Sequence, residues 1–251
     1  MRFGERKMED NVIDIDDLDH KIYRIFSVSR FKELLNTKKL VLVNPEKWDD
    51  PFENFFLRAN AVESSGALVS LENIAKSWYG QCWTFTEDSD ALWRIYSLKK
   101  DGIRVTTTVR KLFSHIWNEN DKFKSLNYFI GSVAYKDRSE IEDFMSNTTF
   151  WDIVLGGQND GFAKLLCMKR NEFKHENEVR LLIHDNDKHG KDGCYEVDIE
   201  YQSIFEEICL DPRLEENEFQ NLKTEIETVS GAIPITQSGL YKVYFRAIKL
   251  Q

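Results

Sequence analysis

The stretch Phe173-Lys174-His175-Glu176-Asn177-Glu178-Val179-Arg180-Leu181-Leu182-Ile183 constrains this chain more than any other. It sets two carboxylates, two residues apart, at the mouth of an apolar run. That run reads as a strand, and residues i and i+2 of a strand face the same side of a sheet. Glu176 and Glu178 then share one face, with Arg180 next along it. Two acids side by side are costly unless an arginine, a bound cation or a positive transition state compensates them.

The 251 residues suffice for one large domain or two small ones. A hydrophobic fraction of 41% with 17 Phe, 9 Tyr and 6 Trp supplies a core and argues against disorder. The net charge of −9 disfavours unspecific binding to a phosphate backbone, although a local basic groove stays open. No apolar stretch is long enough to span a bilayer. Met1 to His20 is charged and lacks the apolar centre of a secretory signal. The four cysteines, Cys82, Cys167, Cys194 and Cys209, are scattered without metal-ligand spacing and read as reduced, mostly buried thiols of a cytoplasmic protein. The histidines form no paired array, so no metal is expected.

Residues 1–20 read as a charged arm and 21–251 as a single domain. Strands are expected at Lys21–Phe26, Lys39–Val43, Gln81–Thr86, Gly102–Thr107, Tyr128–Tyr135, Glu178–Ile183, Cys194–Ile199 and Phe205–Leu210, with Ile233–Ile235 and Tyr241–Ile248 closing the sheet. Helices are expected after Ser27 or Ser29, over Leu71–Tyr79, after Asp88 or Ser89, over Val109–Trp117, Ile141–Met145, Phe150–Leu166 and Leu214–Val229. With no repeat, low-complexity tract or linker, the chain reads as α+β: a mixed, mainly antiparallel twisted sheet or sheets with helices packed on them.

The order of signatures resembles a mainly bacterial family, domain-of-unknown-function family 2971. The matching pieces are Tyr23-Arg24-Ile25-Phe26, Asn44-Pro45 with Asp50-Pro51-Phe52-Glu53, Cys82-Trp83-Thr84-Phe85-Thr86, Leu92-Trp93-Arg94-Ile95-Tyr96, Gly102-Ile103-Arg104 and His175-Glu176-Asn177-Glu178-Val179-Arg180-Leu181. More distantly, the same order resembles the ADP-ribosyltransferase fold and its split sheet. There an early strand carries Arg or His, a later segment carries hydroxyls, and a late strand carries a catalytic Glu, often as Glu-x-Glu.

That second resemblance implies NAD as substrate, no metal, and a toxin-like or phage-defence effector. Arg24 would grip ribose or pyrophosphate, because a guanidinium fork matches phosphate oxygens. Thr84 or Thr86 would position the ribose, and Trp93 or Tyr96 would stack on nicotinamide. Glu178 would stabilise the positive ribosyl transition state, and Glu176 would orient or deprotonate the acceptor, a protein side chain or a nucleic-acid base. A homo-oligomer is compatible with all of this. The residues alone also admit plainer roles: Glu176 and Glu178 paired with Arg180 or Lys174, Arg24 in a cross-strand ion pair, Trp93 and Tyr96 in the core, and Asp50-Pro51-Phe52-Glu53 as an architectural loop. Two other functions stay open. One is a nucleic-acid-directed protein, nuclease-like or a sensor, using Lys164, Lys169, Arg170, Lys174 and Phe173. The other is an inactive interaction scaffold.

Overall fold

In chain order the strands of the computed structural model are β1 (Val12–Ile13), β2 (Lys21–Ser27), β3 (Lys39–Val43), β4 (Asn60–Val62), β5 (Leu68–Ser70), β6 (Trp78–Thr84), β7 (Gly102–Thr108), β8 (Tyr128–Ser132), β9 (Ala134–Lys136), β10 (Met168–Arg170), β11 (Glu178–His184), β12 (Cys194–Asp198), β13 (Glu207–Leu210) and β14 (Ile235–Gln237). The helices are α1 (Val28–Thr37), α2 (Asp90–Tyr96), α3 (Val109–Ile116), α4 (Lys124–Asn127), α5 (Arg138–Asn147), α6 (Gly161–Leu166), α7 (Tyr201–Ile204) and α8 (Glu216–Ser230). The structure describes residues 7–50, 52–53, 60–62, 68–70, 74, 76–147, 149, 153 and 160–243.

The fold is α+β. Ten strands form one mixed, mainly antiparallel sheet in the order β1-β8-β11-β6-β2-β7-β13-β14, with β3 and β12 branching from β6. Only the β1·β8 and β13·β14 pairs of this sheet are parallel. β4 and β5 form a separate antiparallel pair, and β9 and β10 a separate parallel one.

β6 organises the molecule. One edge is fully paired with β11, from Glu178↔Thr84 to His184↔Trp78. The other edge is shared by two strands that cannot both run its length: β2 meets it only at Tyr23↔Thr84, and β3 only at Val43↔Gly80. The sheet forks between these points. Backbone groups exposed at a fork need partners, and side chains supply them. Arg24 Nη1 donates to the Cys82 carbonyl, and Gln81 Nε2 donates to the Val41 carbonyl at 3.0 Å.

Alternation along β11 sorts its residues. Val179, Leu181 and Ile183 enter the main core with Trp83, Phe31 and Phe113. Leu182 faces a second cluster with Trp78, Phe129 and Leu166. Helix α3 packs on the main core through Val109, Leu112, Phe113 and Ile116, the spacing of a single helical face. Each such buried side chain contributes roughly 1.5–3 kcal/mol. Ser27 caps α1, Ser89 caps α2 and Thr108 caps α3. Gly80 is required by close approach: a Cβ there would stand 2.7 Å from the Trp48 ring.

The expected Tyr128–Tyr135 strand is two strands, because the chain turns away at Val133, whose N–H donates to the Glu178 carbonyl at 2.9 Å. The expected helix over Leu71–Tyr79 is corrected at its end: Trp78 and Tyr79 open β6. Leu71–Asn73 and Ala75 lie outside the described residues, as does most of Phe150–Leu166 before α6. Of the expected Tyr241–Ile248 strand, Tyr241 to Val243 are not extended into the sheet, and 244–248 lie outside the described residues. Among the described residues no helix is long and apolar enough to cross a membrane.

Candidate functional site

The two acids of the Glu-x-Glu element meet, by a different route from strand alternation. Asn171–Glu176 forms a 3-10 turn, Asn177 takes a left-handed conformation at φ 44°, and the strand begins only at Glu178. This turn folds Glu176 back beside Glu178, and both carboxylates reach the ammonium of Lys169. Thr84 holds the turn in place. Its hydroxyl donates to the Glu176 carbonyl at 2.6 Å and accepts the Thr86 N–H at 3.0 Å, while Phe85 N–H donates to the Asn177 carbonyl at 3.0 Å.

The compensation that two adjacent acids require comes from two cations. Lys169 Nζ contacts Glu176 Oε2 at 2.9 Å, Glu53 Oε1 at 2.7 Å and also Glu178 Oε1. Arg180 Nε donates to Glu178 Oε2 at 2.9 Å and Nη2 to Glu53 Oε1 at 3.0 Å. The Arg180 guanidinium is fully buried and lies 4.4 Å over the Trp48 ring. Glu53 arrives on the Asp50-Pro51-Phe52-Glu53 loop. Asp50 Oδ1 accepts the Phe52 N–H, and Arg170 grips both Asp50 oxygens at 3.0 and 3.2 Å. The loop is therefore architectural, as expected at its Asp50 end, and it also delivers a carboxylate to the site.

These contacts separate the acids electrostatically. Burial pushes the Glu176 carboxyl up to about 7, with a hydrogen bond shared with Glu178 adding to the rise. Burial acts on Glu178 in the same sense, but Arg180, Glu176 and Lys169 outweigh it and hold Glu178 well below the usual carboxylate range. Burial opposes the charge on Lys169, and Glu178 and Glu53 more than restore it. Burial, then Glu176, keeps the Tyr96 phenol neutral far above its ordinary range.

Beside this network the fork encloses a cavity of about 70 Å³, lined by Arg24, Cys82, Thr84, Tyr96, Glu176 and Glu178 among others. Arg24 enters from β2 and stacks 5.1 Å over Phe26. Among the described residues no carboxylate lies within ion-pair distance of it, and its Nε has no hydrogen-bond partner. Tyr96, half exposed at the end of α2, closes the mouth, with its hydroxyl 3.4 Å from Glu176 Oε2.

The remaining expected ligands fall elsewhere. Trp93 is fully buried and donates through Nε1 to Asp88 at 2.6 Å, so it is a core residue rather than a ring facing a ligand. Thr86 lies beyond the end of β6 and does not line the cavity. Thr84 lines it, but its hydroxyl is committed to backbone partners. Of the basic cluster considered for nucleic acid, Lys169 and Arg170 are engaged as above and Lys164 pairs with Asp160 at 2.9 Å, while Lys174 is exposed. The sequence places Lys169 among basic residues for nucleic acid and Glu53 in an architectural loop, and links neither to the Glu-x-Glu element. Nothing in their spacing links positions 53, 169 and 178. Among the described residues, no three His, Cys, Asp or Glu side chains converge as a metal-ligand group.

The family described as "Protein of unknown function (DUF2971)" matches residues 92–181. Comparison with curated proteins finds no match. Among solved structures the chain is similar to DarT of Thermus sp. 2.9 in complex with NAD+, at TM-score 0.40 and 11% identity, covering 88% of this chain and 96% of that one. It is similar to the same protein in complex with carba-NAD+, at TM-score 0.39 and 12% identity over 88% and 97%. For DarT in complex with ADP-ribosylated single-stranded DNA the values are 0.39 and 11% over 88% and 94%.

Proposed function

We propose that this protein is an NAD-dependent ADP-ribosyltransferase-like effector, of toxin or phage-defence type, whose substrate enters the fork of the sheet. The observation that carries this reading is that Arg24 and Glu178, far apart in sequence, line one cavity where β2 and β6 diverge. A guanidinium that, among the described residues, has no carboxylate within ion-pair distance favours an anionic ligand such as a pyrophosphate. At about 70 Å³ the cavity holds a few waters or a small part of a ligand. Most of a dinucleotide would therefore lie at the mouth, with Tyr96 displaced to stack on the nicotinamide.

In the transfer, the bond between ribose C1′ and the nicotinamide nitrogen breaks, and its electron pair leaves with nicotinamide. Glu178 offsets the positive charge left on the ribose, as carboxylates do in glycoside cleavage. The acceptor's lone pair forms the new bond to C1′, and its proton passes to Glu176. With its carboxyl at about 7, Glu176 is a base only above neutrality. Turnover then rises with pH through that value.

A second reading is a sheet scaffold without turnover. It is favoured by the engagement of both Glu178 oxygens, one by Lys169 and one by Arg180. A carboxylate accepts about four hydrogen bonds, so room for a ribose hydroxyl remains. Labelled NAD separates the two readings. Transfer or hydrolysis is expected, falling by at least ~100-fold in Glu178→Gln, with NAD affinity weakened in Arg24→Ala. An absence of NAD binding by calorimetry would end the NAD reading and leave the scaffold.

A further inference from the structure

We propose that Lys169 is the positioning residue of this site: one ammonium, bonded to Glu53, Glu176 and Glu178, that ties the 50–53 loop to the cavity and lets Glu176, the last of the cavity acids to lose its proton, ionise beside Glu178. Its catalytic consequence rests on the NAD reading above; the bonding and the proton assignment do not.

An ammonium has three donors, and each of these carboxylates comes from a different segment: the loop, the 3-10 turn and β11. The backbone fixes where the ammonium stands. Lys169 lies in β10, in register with Tyr135 of β9, and its Nζ sits 4.5 Å over the Phe173 ring. The Tyr135 hydroxyl accepts the Glu178 N–H at 2.9 Å, so the same small sheet holds both the lysine and the first residue of β11.

The contacts decide which acid keeps the proton. Within bonding distance three carboxylates share two cations, so one acid is the least compensated. Glu53 and Glu178 each touch both Lys169 and Arg180, whereas Glu176 touches Lys169 alone. Its other neighbours are the neutral Tyr96 hydroxyl and Glu178 itself. Arg24 from β2 and Cys82 from β6 face Glu178, where the guanidinium further favours the ionised form. The proton therefore rests on Glu176.

The test is the double variant Lys169→Met with Glu53→Gln, which removes one acid and one base together and leaves Arg180 for Glu178. Carboxyl carbon NMR of Glu-labelled protein, with the signal assigned through Glu176→Gln, follows the titration while circular dichroism checks the fold. The Glu176 titration is expected to move up by about one pH unit or more once its cation is gone. The rising limb of NAD turnover moves with it, and kcat falls at neutral pH with little change in KM. An unmoved titration in a folded variant overturns the proposal. A moved titration with no NAD turnover in any form, wild type included, sustains the proposal and removes the NAD reading. If the variant does not fold, reductive methylation of the unaltered chain decides: Lys169 is expected to stay unmodified while exposed Lys174 reacts fully, and equal reaction at both overturns the proposal.

Discussion

Two of the buried ionic groups among the described residues are built differently. Asp211, just past β13, accepts Arg213 N–H at 2.8 Å, Arg213 Nε at 2.9 Å, Nη2 at 2.6 Å and the Ser97 hydroxyl at 2.5 Å. One acid meets one base two residues away, and the hydroxyl completes the shell. Burial acts to raise the Asp211 carboxyl, but Arg213 and Ser97 outweigh it. The group at the fork gathers three acids and two bases from four separate segments, borders a cavity and carries an acid that titrates near neutrality. The matched pair pins the segment after β13 to the end of α2. The unmatched group keeps a proton poised where solvent or a ligand can reach it, an arrangement that structural stability alone does not require.

The largest expected difference lies in the two arginines. Arg180→Met leaves Glu178 and Glu53 partly uncompensated in the interior and should cost about 3–5 kcal/mol in urea unfolding. Arg213 lies closer to the surface, with 15% of its side chain exposed, and Asp211 keeps Ser97 as a donor. Arg213→Met should cost about 2 kcal/mol or less. Equal losses would erase the distinction between the two groups.

The next difference is in pH. A carboxyl raised from 4.5 to about 7 on folding binds its proton more tightly in the folded state, so its ionisation erodes stability as pH climbs through that window. Glu176→Gln mimics the protonated form. Its advantage over the wild type should be small at pH 5 and grow to about 3 kcal/mol at pH 8. Asp211 has the opposite sign. Its folded value is lowered, so its stabilisation is present above 3.8 and disappears only as acid takes the pH down through the folded value. Glu178 behaves like Asp211 and contributes through the same acid range. A Glu176→Gln variant no more stable than wild type at pH 8 would place the two ionic groups in one class.

Most of the framework could be read along the chain. Lys39–Val43 is a strand with the expected bounds, Ser27 and Ser89 cap the helices assigned to them, and Glu178–Ile183 is the buried strand its apolar run announces. Those features are local: alternation, capping and a helical face each need only neighbouring residues. The fork was not legible, because it depends on β2 and β3 competing for one edge of β6, which is a matter of pairing between distant segments. The partners of Glu178 were half legible. Arg180, two residues on, was a natural candidate, whereas Lys169 was grouped with basic neighbours and Glu53 with a loop. Trp93 and Tyr96 illustrate the same limit: three residues apart on α2, one is fully buried and the other half exposed at the cavity, a difference that helical spacing alone does not announce.

The smallest expected effect concerns Thr84, and it tests whether the Glu-x-Glu turn is held or merely adjacent. The Thr84 hydroxyl gives its proton to the Glu176 carbonyl and takes one from Thr86 N–H, so it has no donor left for a sugar. Removing it while keeping the shape, as in Thr84→Val, should cost about 1 kcal/mol. The left-handed Asn177 loses part of what keeps it there, so Glu176 should drift from Lys169 and its titration should broaden. Thr84→Ser restores the hydroxyl and should restore both. If Thr84 instead contacts ribose directly, Thr84→Val would leave the melting temperature unmoved and weaken only NAD binding. Stability falling together with the Glu176 titration places this threonine with the unmatched ionic group, as the clamp on its least compensated acid.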